Sequence, residues 1–170
     1  MVLLAEYDES WPGQFATTAA ELRVVFGDTV TEIEHIGSTS VPGLVAKPVI
    51  DIAARAVTLE GVAGKDAGLR ELGFEFAPDG PPGRRTYTRA GCNLHVFPFE
   101  VWDELNQRIL RDHLRETPDA VRRYGDLKRK LAVDGLSGFD YTAAKTDLIQ
   151  ELTDTARAHR GLPSVRVWED

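Results

Sequence analysis

One cysteine, Cys92, stands in this chain of 170 residues, so no intramolecular disulfide can close and no Cys-based metal site can be assembled. A reducing, cytoplasmic setting is the expectation. Long apolar runs are also lacking. The start, MVLLAEYDE, has no cationic segment followed by an extended apolar stretch, and the most apolar region is interrupted by Lys47, Asp51 and Arg55, which argues against a signal peptide and a membrane span. No G-x-G-x-x-G occurs, and Gly37 to Gly43 is not followed by Lys-Ser or Lys-Thr, which excludes Rossmann-type and Walker-type sites. Lys and Arg number 20 against 27 Asp and Glu, a formal net charge of −7. That balance argues against general nucleic-acid binding, which needs a clustered cationic excess, and leaves room for a local basic pocket.

What is present reads as one α+β domain over about 1–160 with a looser tail over 161–170. A hydrophobic content of 42% is enough for one core. Ser10 is placed to cap a helix over Trp11–Phe26, in which Phe15, Ala19, Leu22 and Phe26 recur at helical spacing and Gly27 follows as a stop. Strands are expected at Val30–Ile36 and Val49–Val57, followed by a helix over Leu59–Leu72 that ends at Gly73. Phe74–Ala77 and Arg84–Arg89 read as hairpin partners across PDGPPG, and Asn93–Phe99 as a further strand. Three helices then follow, over Val101–Arg115, Pro118–Ala132 and Tyr141–His159, with Thr117 and Asp140 as N-caps. The expected product is a mixed sheet of about four or five strands packed with helices, with a helical C-terminal half.

The segment IEHIGSTSVPGLVAKPVIDIAA carries the chemistry. Two strands flank a loop of small residues whose backbone N–H groups can approach an anion closely. Gly37 and Gly43 supply shape. Ser38, Thr39 and Ser40 offer hydroxyls that either bind phosphate or close the turn. Lys47, ahead of Pro48, can pair with Asp51 or meet a phosphate as a point charge. Asp51 between Ile50 and Ile52 is costly on a buried strand unless it faces a cleft. Arg84 and Arg85 would either close over a triphosphate or keep an edge strand soluble. His35 reads as a core histidine, His113 and His159 as solvated. A Ser38–His95–Asp51 hydrolase triad is disfavoured, since no G-x-S-x-G elbow exists.

Ile36, Gly37 and Ser38, with twelve residues between Ser38 and Asp51, resemble the nucleotidyltransferase superfamily pattern in which Gly-Ser precedes an Asp-hydrophobic-Asp strand. The second carboxylate is replaced by Ala53, which has no oxygen for a metal and weakens a two-metal reaction. Over residues 6 to 156, EYDESWPGQF, EHIGSTSVPGLVAKPVIDI, NLHVF, RDHLRETPDAVRRYGDLKRKLA and YTAAKTDLIQEL occur in the order found in the GrpB family, of which the chain is identified as a member. The resemblance implies a nucleotidyltransferase-like fold. It brings forward Arg111, Asp112, Lys128, Tyr141 and Lys145 as pocket residues, and it places His95 where a third carboxylate strand would lie.

The expected function is therefore binding of a nucleotide or related phosphate ester, with transfer of a nucleotidyl or phosphoryl group to a small acceptor. Ser38 with Gly37, Thr39, Lys47, Arg85 and Lys128 would hold phosphate. Asp51 and His95 would orient a nucleophile or hold one Mg²⁺ or Mn²⁺ ion. The alternatives are a non-catalytic nucleotide-binding or regulatory module, favoured by Ala53, and a protein-partner module resting on net charge alone.

Overall fold

In the computed structural model, which describes residues 3–167, a five-stranded mixed sheet is built around two parallel neighbours. These are β2 (Ile50–Ala56) and β5 (Cys92–Pro98), in register from Ile50 opposite Cys92 to Ala56 opposite Pro98. Strand β1 (Val30–Ile36) flanks β2, while β4 (Arg85–Arg89) and the short β3 (Glu75–Phe76) extend the other side, all antiparallel, giving the order β1-β2-β5-β4-β3. This is the α+β arrangement expected from the sequence.

Period-two alternation then divides the sheet into two faces. Ile50, Ile52, Ala54 and Ala56 of β2, with Cys92, Leu94 and Val96 of β5, pack in one cluster with Trp11, Leu22 and Phe26 of helix α1 (Trp11–Phe26). Each fully buried Leu or Phe there contributes about 1.5–3 kcal/mol. The same face is covered by α2 (Leu59–Ala63) and α3 (Asp66–Glu71), through Val62 and Leu69. Asp51, Ala53, Asn93, His95 and Phe97 occupy the alternate positions, so the sheet turns its polar residues to the opposite side.

That side meets a helical half made of α4 (Asn106–Glu116), α5 (Pro118–Val133), α6 (Gly138–Ala143) and α7 (Thr146–His159). Its core joins Leu114, Ala120, Tyr124, Ile149 and Leu152 to Val41 and Leu44 of the loop between β1 and β2. The loop is thus fastened by apolar contacts to the helices and by Gly37 to the sheet.

Several expected boundaries move. The helix expected over 59–72 is two pieces interrupted at Gly64 and Lys65, the first capped by the Thr58 hydroxyl, which accepts from the Gly61 N–H at 3.0 Å. The expected start at Val101 is a 3₁₀ turn over Phe99–Glu104, because Trp102 and Leu105 are drawn into an apolar cluster with Ile36, Ala53 and Phe97, and Leu105 is extended. The last helix begins earlier, at Gly138, and breaks around Ala144 and Lys145, with Asp140 inside its first turn rather than capping it. Ser10 holds the N-cap position, yet its Oγ accepts from Gln14 Nε2 instead of capping, and Thr117 makes no side-chain cap bond ahead of Pro118. The segment from Gly161 to Val167 is tied down: Arg157 Nε donates to the Pro163 carbonyl, Gln150 Nε2 to that of Val165, and Val167 is buried in the helical core. The tail expected to be loose is held because it supplies a side chain the core needs. Residues 168–170 of that tail lie outside the described residues.

Candidate functional site

At the end of β1 the chain turns through Gly37, whose φ of 73° is a left-handed value suited to glycine. A side chain there would also collide with Asp51, since a Cβ would lie 2.7 Å from Asp51 Oδ2. Glycine at this point lets the Ser38 turn press directly against the carboxylate. The 3₁₀ turn Ser38–Ser40 is closed by its own groups: Ser40 Oγ donates to the Gly37 carbonyl, and the Thr39 hydroxyl donates to the Val49 carbonyl at 3.3 Å and contacts His35 Nε2 at 2.9 Å. Ser38 is left facing the cleft.

On one side of Ser38 lies a lobe of about 400 Å³ lined by Lys47, Lys128, Lys145, Tyr141, Asn93 and Asp51, among others. Three ammonium groups from three separate elements face one carboxylate. Lys128 is only 4% exposed, and its Nζ donates to Ser38 Oγ and to the Val45 carbonyl at 3.0 Å. Burial pushes its pKa down to about 7, with Lys145 and Lys47 adding repulsion and Asp51 partly offsetting it. Lys145 is lowered to about 8, first by burial and then by Lys47. The Tyr141 ring receives both neighbours, with Lys145 Nζ 4.4 Å and Lys47 Nζ 5.2 Å from its centroid, while Lys128 Nζ lies 4.4 Å from that of Tyr124. Lys128 is buried and Lys145 half-buried without a carboxylate bonded to either, and exposed Lys47 stands beside them, a grouping of cations that a bound anion would stabilise.

On the other side, a lobe of about 290 Å³ is also reached from Gly37, Ser38 and Asp51 and is lined by His95 together with residues of α4, α5 and α7. Asp51 and Ser38 line both lobes. Asp51 Oδ1 accepts from Asn93 Nδ2 at 3.0 Å and lies 3.9 Å from His95 Nε2, beyond direct hydrogen-bond reach. A larger concavity of about 960 Å³ lies across Glu34, His35 and Ser40. We do not place the site there, because its polar groups are already engaged: Glu34 with Arg108 and Arg111, His35 with Thr39, and Arg115 with the Ser40 carbonyl.

Of the residues expected from sequence, Gly37, Ser38, Lys47, Asp51, His95, Lys128, Tyr141 and Lys145 come together in this double cleft. Thr39 lines it with its hydroxyl already occupied, so it pins the loop. Arg111 reaches the second lobe but is buried in structural bonds, donating to Glu34 Oε2 at 2.6 Å, to the His35 carbonyl and to Asp112. Two expectations are corrected. Asp112 is held by Arg111 and Arg160 and lines neither lobe; burial pushes its carboxyl upward, and the two arginines outweigh this to leave it lowered. Arg85 turns away to Asp66, 2.9 Å from its Nη2, and to the Phe76 ring, because alternation along the hairpin sends it to the face opposite its neighbour. Arg84 lines the second lobe instead. Sequence reading missed Asn93, Asn106, Gln107, Tyr124 and Thr153. Of these, Asn93 was detectable, being two residues before His95 on the same strand face.

The donor set also bears on metal. Asp51 is the one carboxylate among the residues lining either lobe, and among the described residues no group of three or more His, Cys, Asp or Glu is arranged to hold an ion. Mg²⁺ and Mn²⁺ prefer about six oxygen ligands. The described residues therefore do not build a two-metal centre.

Residue 53 explains why. Ala53 is wholly buried against Ile36, Phe97, Trp102 and Leu105, so the position that would carry the second carboxylate is part of an apolar cluster.

Comparison with known proteins agrees with this architecture. The chain is 31% identical over 157 residues to the UPF0157 protein YqkA of Bacillus subtilis, a match covering 89% of this chain and 46% of that protein, so the chain spans just under half of that relative's length. Its fold matches the crystal structure of the GrpB protein of Enterococcus faecalis with a TM-score of 0.86 at 29% identity, covering 94% of this chain and 99% of that one. A weaker likeness, TM-score 0.46 at 13% identity, is to the cyclic dinucleotide synthase CdnE of Elizabethkingia meningoseptica, over 95% of this chain and 83% of that one. Residues 1–155 match the family described as GrpB protein, and the chain belongs to the GrpB family.

Proposed function

We propose that this protein binds a nucleotide or related phosphate ester, with the phosphate groups in the lysine lobe. One observation carries the reading: Lys47, Lys128 and Lys145 line one lobe with Ser38 and a single carboxylate, Lys128 bonded to Ser38, and burial lowers the proton affinity of Lys128 and Lys145. Such an arrangement costs free energy in the unliganded protein and is relieved by a polyanion. The Ser38 oxygen accepts from Lys128, and its own O–H would donate to the same anion from the Gly37 turn. In this reading Asp51, with His95 across the strand pair, would orient an acceptor hydroxyl or water during transfer of a nucleotidyl or phosphoryl group. A Mg²⁺ or Mn²⁺ ion would draw most of its ligands from phosphate oxygens and water.

The buried Ala53 favours a second version, in which the cleft binds without catalysing. Melting temperature measured across nucleoside triphosphates, pyrophosphate and simple phosphates, with and without Mg²⁺ or Mn²⁺, separates the two, because ligand binding to the native state raises it. A metal-dependent rise with a nucleotide, accompanied by turnover that Asp51→Asn removes, supports the transferase. A rise without turnover supports the binding module. No rise with any phosphate compound rejects the phosphate reading.

A further inference from the structure

The second lobe has a composition that the phosphate reading leaves unused. Its walls include Leu110, Leu114, Tyr124, Ile149 and Val167. Among these apolar groups, four lining residues carry buried polar atoms with no hydrogen-bond partner: His95 Nδ1, Asn106 Nδ2, Gln107 Oε1 and Thr153 Oγ1. Buried polar groups in folded proteins are nearly always paired, so four on one small cavity mark it as shaped for something else.

The orientation of one amide is determined by its neighbours. Arg157 is buried on α7 and donates from Nη1 to Asn106 Oδ1 at 2.9 Å, from the same nitrogen to the Glu104 carbonyl at 3.0 Å, and from Nε to the Pro163 carbonyl. A guanidinium only donates, so the amide oxygen must face it, and the group that Asn106 leaves unpaired beside the lobe is its Nδ2 donor. The next residue, Gln107, contributes an amide whose oxygen is unpaired, and Thr153 a hydroxyl able to act either way. An alkyl chain would leave these groups unpaired, and a sugar would strand its hydroxyls on the apolar walls. A flat heteroaromatic ring, apolar on its faces and bearing adjacent donors and acceptors on its edge, suits both.

We infer that this lobe is a nucleobase subsite, in which Asn106, Gln107 and Thr153 read the edge of the ring and Arg157 acts as the positioning residue for Asn106. The inference rests on the phosphate reading for the other end of the ligand, since the lobes meet at Ser38 and Asp51 and one nucleotide would span them.

The test compares affinities for inorganic tripolyphosphate, which has no base, and for the four common nucleoside triphosphates, using the full chain and the variants Gln107→Leu and Thr153→Val. At least one nucleotide should bind tenfold or more tightly than tripolyphosphate. Both variants should reduce that preference at least fivefold while leaving tripolyphosphate affinity unchanged and the melting temperature no lower. A purely structural Thr153 would not split the two ligands in this way. Nucleotides that bind no better than tripolyphosphate overturn the base subsite and leave the phosphate reading standing. Should tripolyphosphate itself not bind, ligand-observed NMR with free nucleosides judges the lobe alone: binding lost in Thr153→Val sustains it, and no binding overturns it.

Discussion

At Gly37 a φ of 73° coincides with a Cβ position 2.7 Å from Asp51 Oδ2, so Gly37→Ala must both enter the left-handed region and displace the carboxylate. The expected loss is about 2 kcal/mol or more, read by denaturant unfolding, and ligand binding should weaken with it. Lys128 and Lys145 make a prediction of a different kind. Burial and mutual repulsion lower them to about 7 and about 8, and a bound polyanion stabilises their charged forms and so raises both pKa values. Pyrophosphate affinity should therefore fall as pH rises from 7 through 9, and binding near pH 8 should take up protons, measurable by calorimetry in buffers of different ionisation enthalpy. Lys128→Met should weaken pyrophosphate binding at least tenfold at pH 7 and remove its share of the proton uptake.

Among the elements, β1 and α4 are clamped by Glu34, which takes Arg108 at 3.0 Å and Arg111 at 2.6 Å; burial raises its carboxyl, and the two arginines more than reverse this. This clamp holds the helical half against the sheet edge where the Gly-Ser turn begins, so it positions both lobes without entering either chemistry. Strand β2 shows how face assignment decides function. Asp51 and Ala53 share a side of the strand, yet one lies beneath the cleft and the other beneath Trp102 and Leu105. Placing a carboxylate there by Ala53→Asp should consequently cost about 3 kcal/mol or more, as an unpaired buried acid, and confer no metal-dependent activity. Urea unfolding and a metal-binding titration of that variant test both parts. The hairpin teaches the same lesson at Arg84 and Arg85, where adjacency in sequence means opposite faces in space.

Across the whole molecule, a net charge of −7 encloses a cleft with three lysines and one carboxylate, so the long-range field and the local site have opposite sign. Among the described residues no helix is long and apolar enough to cross a membrane. The final segment closes the helical half over the second lobe through Val167. A chain ending at Gly161 should therefore lose about 2–4 kcal/mol of stability, by exposing the core around Val41 and Leu44, and should lose ligand binding with it, as unfolding and binding titrations would report. The α+β class, the strands at 30–36 and near 50–56, helix α1, the Gly37–Ser38 turn and Asp51 were all legible in the sequence by itself, because they follow from local periodicity, turn chemistry and a short contiguous pattern. Family resemblance added Lys128, Tyr141 and Lys145. It could not sort them from Arg111 and Asp112, whose charges are consumed by Glu34 and Arg160, residues distant in the chain. Only the tertiary structure decided that Ala53 is sealed in an apolar cluster, that Arg85 points away, and that Asn106 and Thr153 line one lobe. Which partner neutralises a charge, and which surface covers a strand face, is settled by elements far apart in sequence when they pack.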